Sequence, residues 1–270
     1  MDQGEGGTAD VSPTLARLLW ERSEAQPDDV AYRHLVGAPG REAWQDVTWS
    51  EVRALVEPLA AGLVGLGVEP GDRVAVLSRI RVDWVLAHLA GLCAGAATVA
   101  VPPDSAPEDL ARVVHDAGAV VVVAEDVEQV DKLRRVRGDI RSVRKVVLFD
   151  GQYPDRRVMT WEELLGAGEE LLADDPAAVV SRVEALPPAA LATVLPAAGA
   201  EGPAEPVRVT HRAWVHEGLA DLPTGGPPGP GDGLRPLPPL TRSGSHALLA
   251  SQLAHGFGAQ VEAGRDAPAG

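Results

Sequence analysis

From residue 70 onward, short unbroken apolar runs alternate with amphipathic stretches. Arg73–Leu77, Ala97–Val101, Ala119–Ala124 and Lys145–Phe149 are apolar at nearly every position, the pattern of strands buried on both faces. Between them Asp83–Cys93, Pro107–His115 and Val127–Val136 carry apolar residues at helical spacing, with Pro107 suited to a first helical turn. Such strands alternating with helices of about ten residues specify βαβ units. The expected fold class is α/β, with mostly parallel sheets flanked by helices.

The flanking regions are less regular. Ser12-Pro13 reads as cap and first turn of a helix that stops before Pro27. Val30–Val36 and Trp44–Thr48 read as two strands joined by a turn at residues 37–40, and Ser50 as the cap of a helix reaching Leu66. Past Gly151 the spacing of Thr160 and Glu163 predicts a capping box opening a helix to Leu172. Leu191–Leu195 and Val207–Thr210 read as strands, and His211–Leu219 as a helix. Residues 223–240 are too dense in proline and glycine for a regular element and read as a linker. The expected organisation is a disordered tail (1–11), an α/β domain (12–222), that linker, and a short remnant of a further subdomain (241–270), with a weak helix-to-strand pattern at 248–263.

Composition narrows the function. The 270-residue chain is 45% hydrophobic but only 4% aromatic, so valine, leucine and alanine fill its core. A net charge of −15 argues against nucleic acid and anionic membrane surfaces as partners. The single cysteine, Cys93, sits in an apolar helical run and reads as a buried small residue. With no intrachain disulfide to form, no signal-like N-terminus and no apolar run of membrane-spanning length, a cytoplasmic setting is expected. The seven histidines show no H-x₃-H or H-E-x-x-H spacing, so no metal site is expected. Arg134, Arg135, Arg137, Arg141 and Arg144 form a basic cluster, read as a solvated helix and loop, with an acidic partner as the alternative.

The segment most relevant to chemistry is Leu191 to Arg212. Gly199 and Gly202 lie between an apolar run and a short strand, the frame of a phosphate-binding loop. A loop that holds phosphate needs inward backbone N–H groups, small hydroxyls and a cation. This one offers Ala197, Ala198, Ala200, Glu201, Ala204 and Glu205, with Pro203 and Pro206 lacking N–H donors.

The order of elements resembles adenylate-forming (AMP-binding) enzymes, especially long-chain acyl-CoA synthetases. The resemblance rests on Leu66-Gly67-Val68 with Gly71-Asp72-Arg73-Val74, then Trp84, Thr98–Pro107 and Asp116–Ala119, with Thr48-Trp49-Ser50-Glu51 upstream, and spans roughly Pro13 to His211. These are packing and turn residues, so they mark a fold and are silent on chemistry. The family's nucleotide loop resembles Thr-Ser-Gly-Thr-Thr-Gly-x-Pro-Lys-Gly followed by Thr-His. It falls without a gap on Ala197 through Pro206, with Thr210-His211 in register. The two internal glycines and the Thr-His pair are kept. The hydroxyl positions are Ala197, Ala198, Ala200 and Glu201, the lysine position is Glu205, and the last glycine is Pro206.

Each lost hydrogen bond to a charged phosphate costs ~1.5–3 kcal/mol. Exchanging a cation for a carboxylate turns attraction into a repulsion of about 4 kcal/mol for charges about 4 Å apart at an effective dielectric near 20. Together these exceed the ~5–6 kcal/mol behind a sub-millimolar affinity. The resemblance also implies an aromatic-Gly-x-Thr-Glu segment whose Glu holds Mg²⁺, a Thr-Gly-Asp for ribose and a C-terminal domain with a catalytic lysine; none occurs in this sequence. Leu237–Thr241 stands where the family has Leu-Pro-Leu-x-His, without the histidine. The expectation is a vestigial nucleotide site (Ala197, Ala198, Gly199, Ala200, Glu201, Gly202, Glu205, Thr210, His211) and no catalytic residue. It is a chain without the family's cofactors (ATP, Mg²⁺, CoA) that acts by binding an acyl ligand or a partner. That partner would be a homo- or hetero-oligomer covering the sheet edge. The alternatives are a long-chain fatty acid–CoA ligase active only with a complementing subunit, and a decaying gene product.

Overall fold

The computed structural model describes residues 13–37, 41–195, 206–220, 234–237 and 243–261. The expected 1–11 tail, the body of the loop at 196–205 and most of the Pro/Gly-rich stretch lie outside them. The first helix, α1 (Leu15–Ala25), is capped by Thr14, whose hydroxyl accepts from Arg17 N. An antiparallel hairpin follows, β1 (Val30–Val36) and β2 (Ala43–Thr48). The next helix, α2 (Trp49–Gly65), opens at Thr48 rather than Ser50. Thr48 Oγ1 accepts from Glu51 N at 3.3 Å, and the Glu51 carboxylate accepts from Thr48 N at 2.8 Å.

The alternating core then runs β3 (Arg73–Leu77), α3 (Val82–Cys93), β4 (Ala97–Val101), α4 (Pro107–Ala117), β5 (Val121–Ala124), α5 (Val127–Arg135) and β6 (Lys145–Leu148). Sequence patterning missed two short elements after it, β7 (Val158–Thr160) and α7 (Val180–Ala185). Between them lies α6 (Trp161–Asp174), with the expected capping box at Thr160 and Glu163. The order closes with β8 (Leu191–Leu195), β9 (Val207–Thr210), α8 (His211–Ala220), β10 (Arg235–Pro236), α9 (Ser243–His255) and β11 (Ala259–Val261). The stretch read as a linker with no regular element thus contributes a two-residue strand, because its backbone pairs with β11.

Seven strands form one sheet in the order β7-β6-β5-β3-β4-β8-β9, parallel except for the β8–β9 pair. Its two faces feed two clusters. Val74, Val76, Val121 and Val123 face the layer containing α2 and α3. Ala75, Leu77, Val122 and Ala124 face α4 and α5. Alternation at period two within all-apolar strands is what burial on both sides requires. A second sheet, β10-β11-β1-β2, joins the last described segment to the first strands.

The turn residues have specific tasks. Gly71 adopts φ +88°, a left-handed conformation open to glycine. The Arg73 guanidinium donates to the carbonyls of Gly71, Ala117 and Gly118 at 2.6–2.9 Å. It thereby satisfies backbone acceptors at the end of α4, where Gly118 forms a left-handed cap. Asp72 accepts from Glu69 N and pairs with Arg144 at 3.0 Å. The motifs at 71–74 and 116–119 are therefore two halves of one joint.

Candidate functional site

In sheets of this kind, ligands sit outside the carboxyl ends of the strands. Residues 196–206 connect β8 to β9 at that edge, since Leu195 pairs with Val207 and β8 runs parallel to β4. The chain then enters α8 at His211. Of the sequence-predicted site residues, Ala197, Ala198, Gly199, Ala200, Glu201, Gly202 and Glu205 lie outside the described residues. Thr210 and His211 lie within them, at the junction of β9 and α8.

Both residues of that pair have structural engagements. Thr210 Oγ1 accepts from Ala213 N at 3.2 Å, capping the first turn of α8. His211 is fully buried, and its Nδ1 accepts from Leu15 N at 3.2 Å. That bond requires Nδ1 unprotonated, which places the neutral ring's proton on Nε2; Nε2 is buried without a hydrogen-bond partner. Burial pushes this imidazole down to about 4, so the ring is neutral near pH 7 and carries no charge for a phosphate.

Below the junction lies a cluster that patterning did not single out. Thr98 and Thr193 occupy paired positions on β4 and β8. Thr98 Oγ1 lies 2.7 Å from His88 Nδ1, and Thr193 Oγ1 accepts from Trp214 Nε1. His88 stacks on Trp84 with centroids 5.4 Å apart, and His246 stacks on Trp214 at 5.5 Å. The two imidazoles meet edge to face at 5.5 Å. Burial, then the neighbouring His246 and His211, push His88 well below the ordinary histidine range. The available signal was a lone hydroxyl inside each of two apolar strands. Among the described residues, no group of three or more His, Cys, Asp or Glu side chains is placed to hold a metal ion. Cys93 closes α3 fully buried, its thiol pushed up by burial.

A second feature of the carboxyl edge is a crevice past β3 and β5, where the strand order reverses. It is lined by His34, Arg79, Arg81, Asp83 and Glu125. Its charges are internally matched: Arg79 pairs with Glu125 at 3.3 Å, and Arg81 with Asp83 at 2.6 Å and with Asp150. Sequence reading missed it because the partners are 46 and 69 positions apart.

Comparison with known proteins accords with this architecture. The AMP-binding enzyme family matches residues 19–261, and the chain belongs to that family. The long-chain-fatty-acid–CoA ligase FadD15 of Mycobacterium bovis is 30% identical over 203 residues, which are 75% of this chain and 32% of the ligase. The chain thus spans about a third of that relative's length. An uncharacterized protein of Mycobacterium tuberculosis is 32% identical over 149 residues, 55% of this chain and 79% of its own. A long-chain-fatty-acid-CoA ligase (FadD1) from Archaeoglobus fulgidus superposes with a TM-score of 0.73 at 18% identity, over 94% of this chain and 48% of that one. The fold is that of acyl-CoA ligase N-terminal domains. No described helix is long and apolar enough to cross a membrane.

Proposed function

We propose that this chain is a non-catalytic member of the AMP-binding enzyme family, an acyl-CoA-ligase-like scaffold that binds an acyl ligand or a protein partner in fatty-acid metabolism and adenylates nothing by itself. One observation carries the reading: the nucleotide loop presents Ala197, Ala198 and Ala200 where hydroxyls are needed, and Glu201 and Glu205 where a hydroxyl and a cation are needed. This donor set does not fit a triphosphate or its metal. The surviving Thr210 and His211 are spent on a helix cap and a buried acceptor. The acyl side of the reading is supported by the matched relatives, named as long-chain-fatty-acid–CoA ligases. Its partner side is supported by β9, which pairs only with β8 among the described strands and leaves Val207 57% exposed.

Acyl-dependent ATP–pyrophosphate exchange, run with the purified chain alone, tests the reading. No exchange above background is expected. Clear exchange by the chain alone contradicts it.

A further inference from the structure

The amino edge of the seven-stranded sheet, opposite the nucleotide loop, carries a feature of another kind. Helix α5 ends at Arg135, while β6 and β7 continue the sheet beside it, with Val146 paired to Val158. A shallow, solvent-open groove lies between them, lined by Val130, Leu133, Val146 and Val158. Its rim holds Arg134, Arg137, Arg144, Lys145 and Arg157 against one carboxylate, Asp155. This excess of cations stands on a chain whose net charge is −15.

Three of the cations are engaged: Arg134 with Tyr153 and, at 3.8 Å, with the Asp131 carboxylate, Arg144 with Gly67 and Asp72, and Lys145 with the carbonyl of Arg156. The side chains of Arg137 and Arg157 have no hydrogen bond or ion pair with a described residue. The surroundings hold the Asp155 carboxyl below the usual range, first through the Arg157 backbone N–H and then through Arg157, Arg137 and Arg134. Complementing the C-terminal dipole of α5 accounts for Arg134 and Arg135. It does not account for Lys145 and Arg157, which come from the sheet edge, nor for the aliphatic floor between them.

We propose that this groove binds a small amphiphilic anion, its aliphatic chain on the valine and leucine floor and its carboxylate or phosphate head among Arg137, Arg157 and Lys145. Two guanidiniums without a hydrogen-bond or ion-pair partner among the described residues match a planar or tetrahedral oxyanion. The proposal is independent of the non-catalytic reading, because it uses the opposite edge of the sheet.

The test titrates the full chain with decanoate, decyl phosphate, decylamine and decanol below their micellar concentrations, by calorimetry and amide-shift mapping. Both anions should bind, with shifts centred on Val146, Arg157 and Val158, and decylamine should bind about tenfold more weakly or worse. The relative affinity of the two anions identifies the preferred head. R137E/R157E should weaken both anions by about tenfold or more, leave decanol unchanged and keep the melting temperature. R137E alone, at an exposed position, should shift affinity in the same direction. Equal binding of decanoate and decylamine, shifts mapping elsewhere, or indifference to R137E would overturn the assignment. So would adsorption to phosphatidylglycerol vesicles, or capture of an acidic leucine-containing peptide, without binding of free decyl phosphate.

Discussion

Arg73 shows how a motif residue can be diagnostic of a fold and silent on reaction. Its guanidinium reaches the carbonyls of Ala117 and Gly118 at the end of α4 and that of Gly71 in the turn before β3. Replacing it with alanine should cost about 2 kcal/mol, the scale of a lost charge-assisted contact at a half-buried site, and lysine should recover less than half because it lacks the fork. Urea unfolding of R73A and R73K measures both. The buried histidines set a pH dependence. His211 is held to about 4 against an ordinary 6.5 by burial, and His88 is shifted in the same direction. As pH falls through 6.5 the unfolded chain takes up these protons first, so stability present above that pH is lost progressively toward 4. The His211 share is on the order of 3 kcal/mol across the whole window. The urea midpoint should therefore fall between pH 7 and pH 5, and H211N, which keeps an acceptor for Leu15, should flatten part of the fall. A midpoint indifferent to pH would contradict this. None of it was legible from spacing, because His88, His211 and His246 are brought together by three different helices.

At the scale of elements, α2 and α6 approach closely through glycine. A Cβ on Gly168 would stand 1.7 Å from the Pro58 carbonyl oxygen, and one on Gly62 2.4 Å from that of Leu164. Both obstacles are backbone, so G168A must separate the helices and should destabilise by about 2–3 kcal/mol despite alanine's better propensity. Gly166, in the same helix, has nothing within 4 Å of its would-be Cβ. G166A should therefore stabilise by about 0.5–1 kcal/mol. Thermal melts of the pair separate packing from propensity, and a stable G168A would refute the close approach. Much at this scale was readable: all-apolar strands named the parallel core, and the Thr-x-x-Glu spacing named the start of α6. The same spacing at Thr48 and Glu51 marks the start of α2, two residues ahead of the expected cap at Ser50. The short strands β7 and β10 left no periodic signal, since three and two residues are held by neighbours rather than by their own pattern.

For the molecule as a whole, the proposed function separates scaffold from chemistry. The residues that build the turns and strands of an AMP-binding enzyme are present, and the chain belongs to that family over residues 19–261. The side chains that would hold a triphosphate at 197–205 are methyl groups and carboxylates. The proposed nucleotide loop is read from residue type in a fixed register alone, since residues 197–205 lie outside the described ones. The basic groove was legible only in part: its arginines form a run, but the floor and Arg157 arrive through the pairing of β6 with β7. The most direct test of the central claim is equilibrium titration of MgATP into the full chain. The account predicts no saturable binding up to about millimolar concentration. Micromolar binding that is lost on Gly199→Val would contradict it.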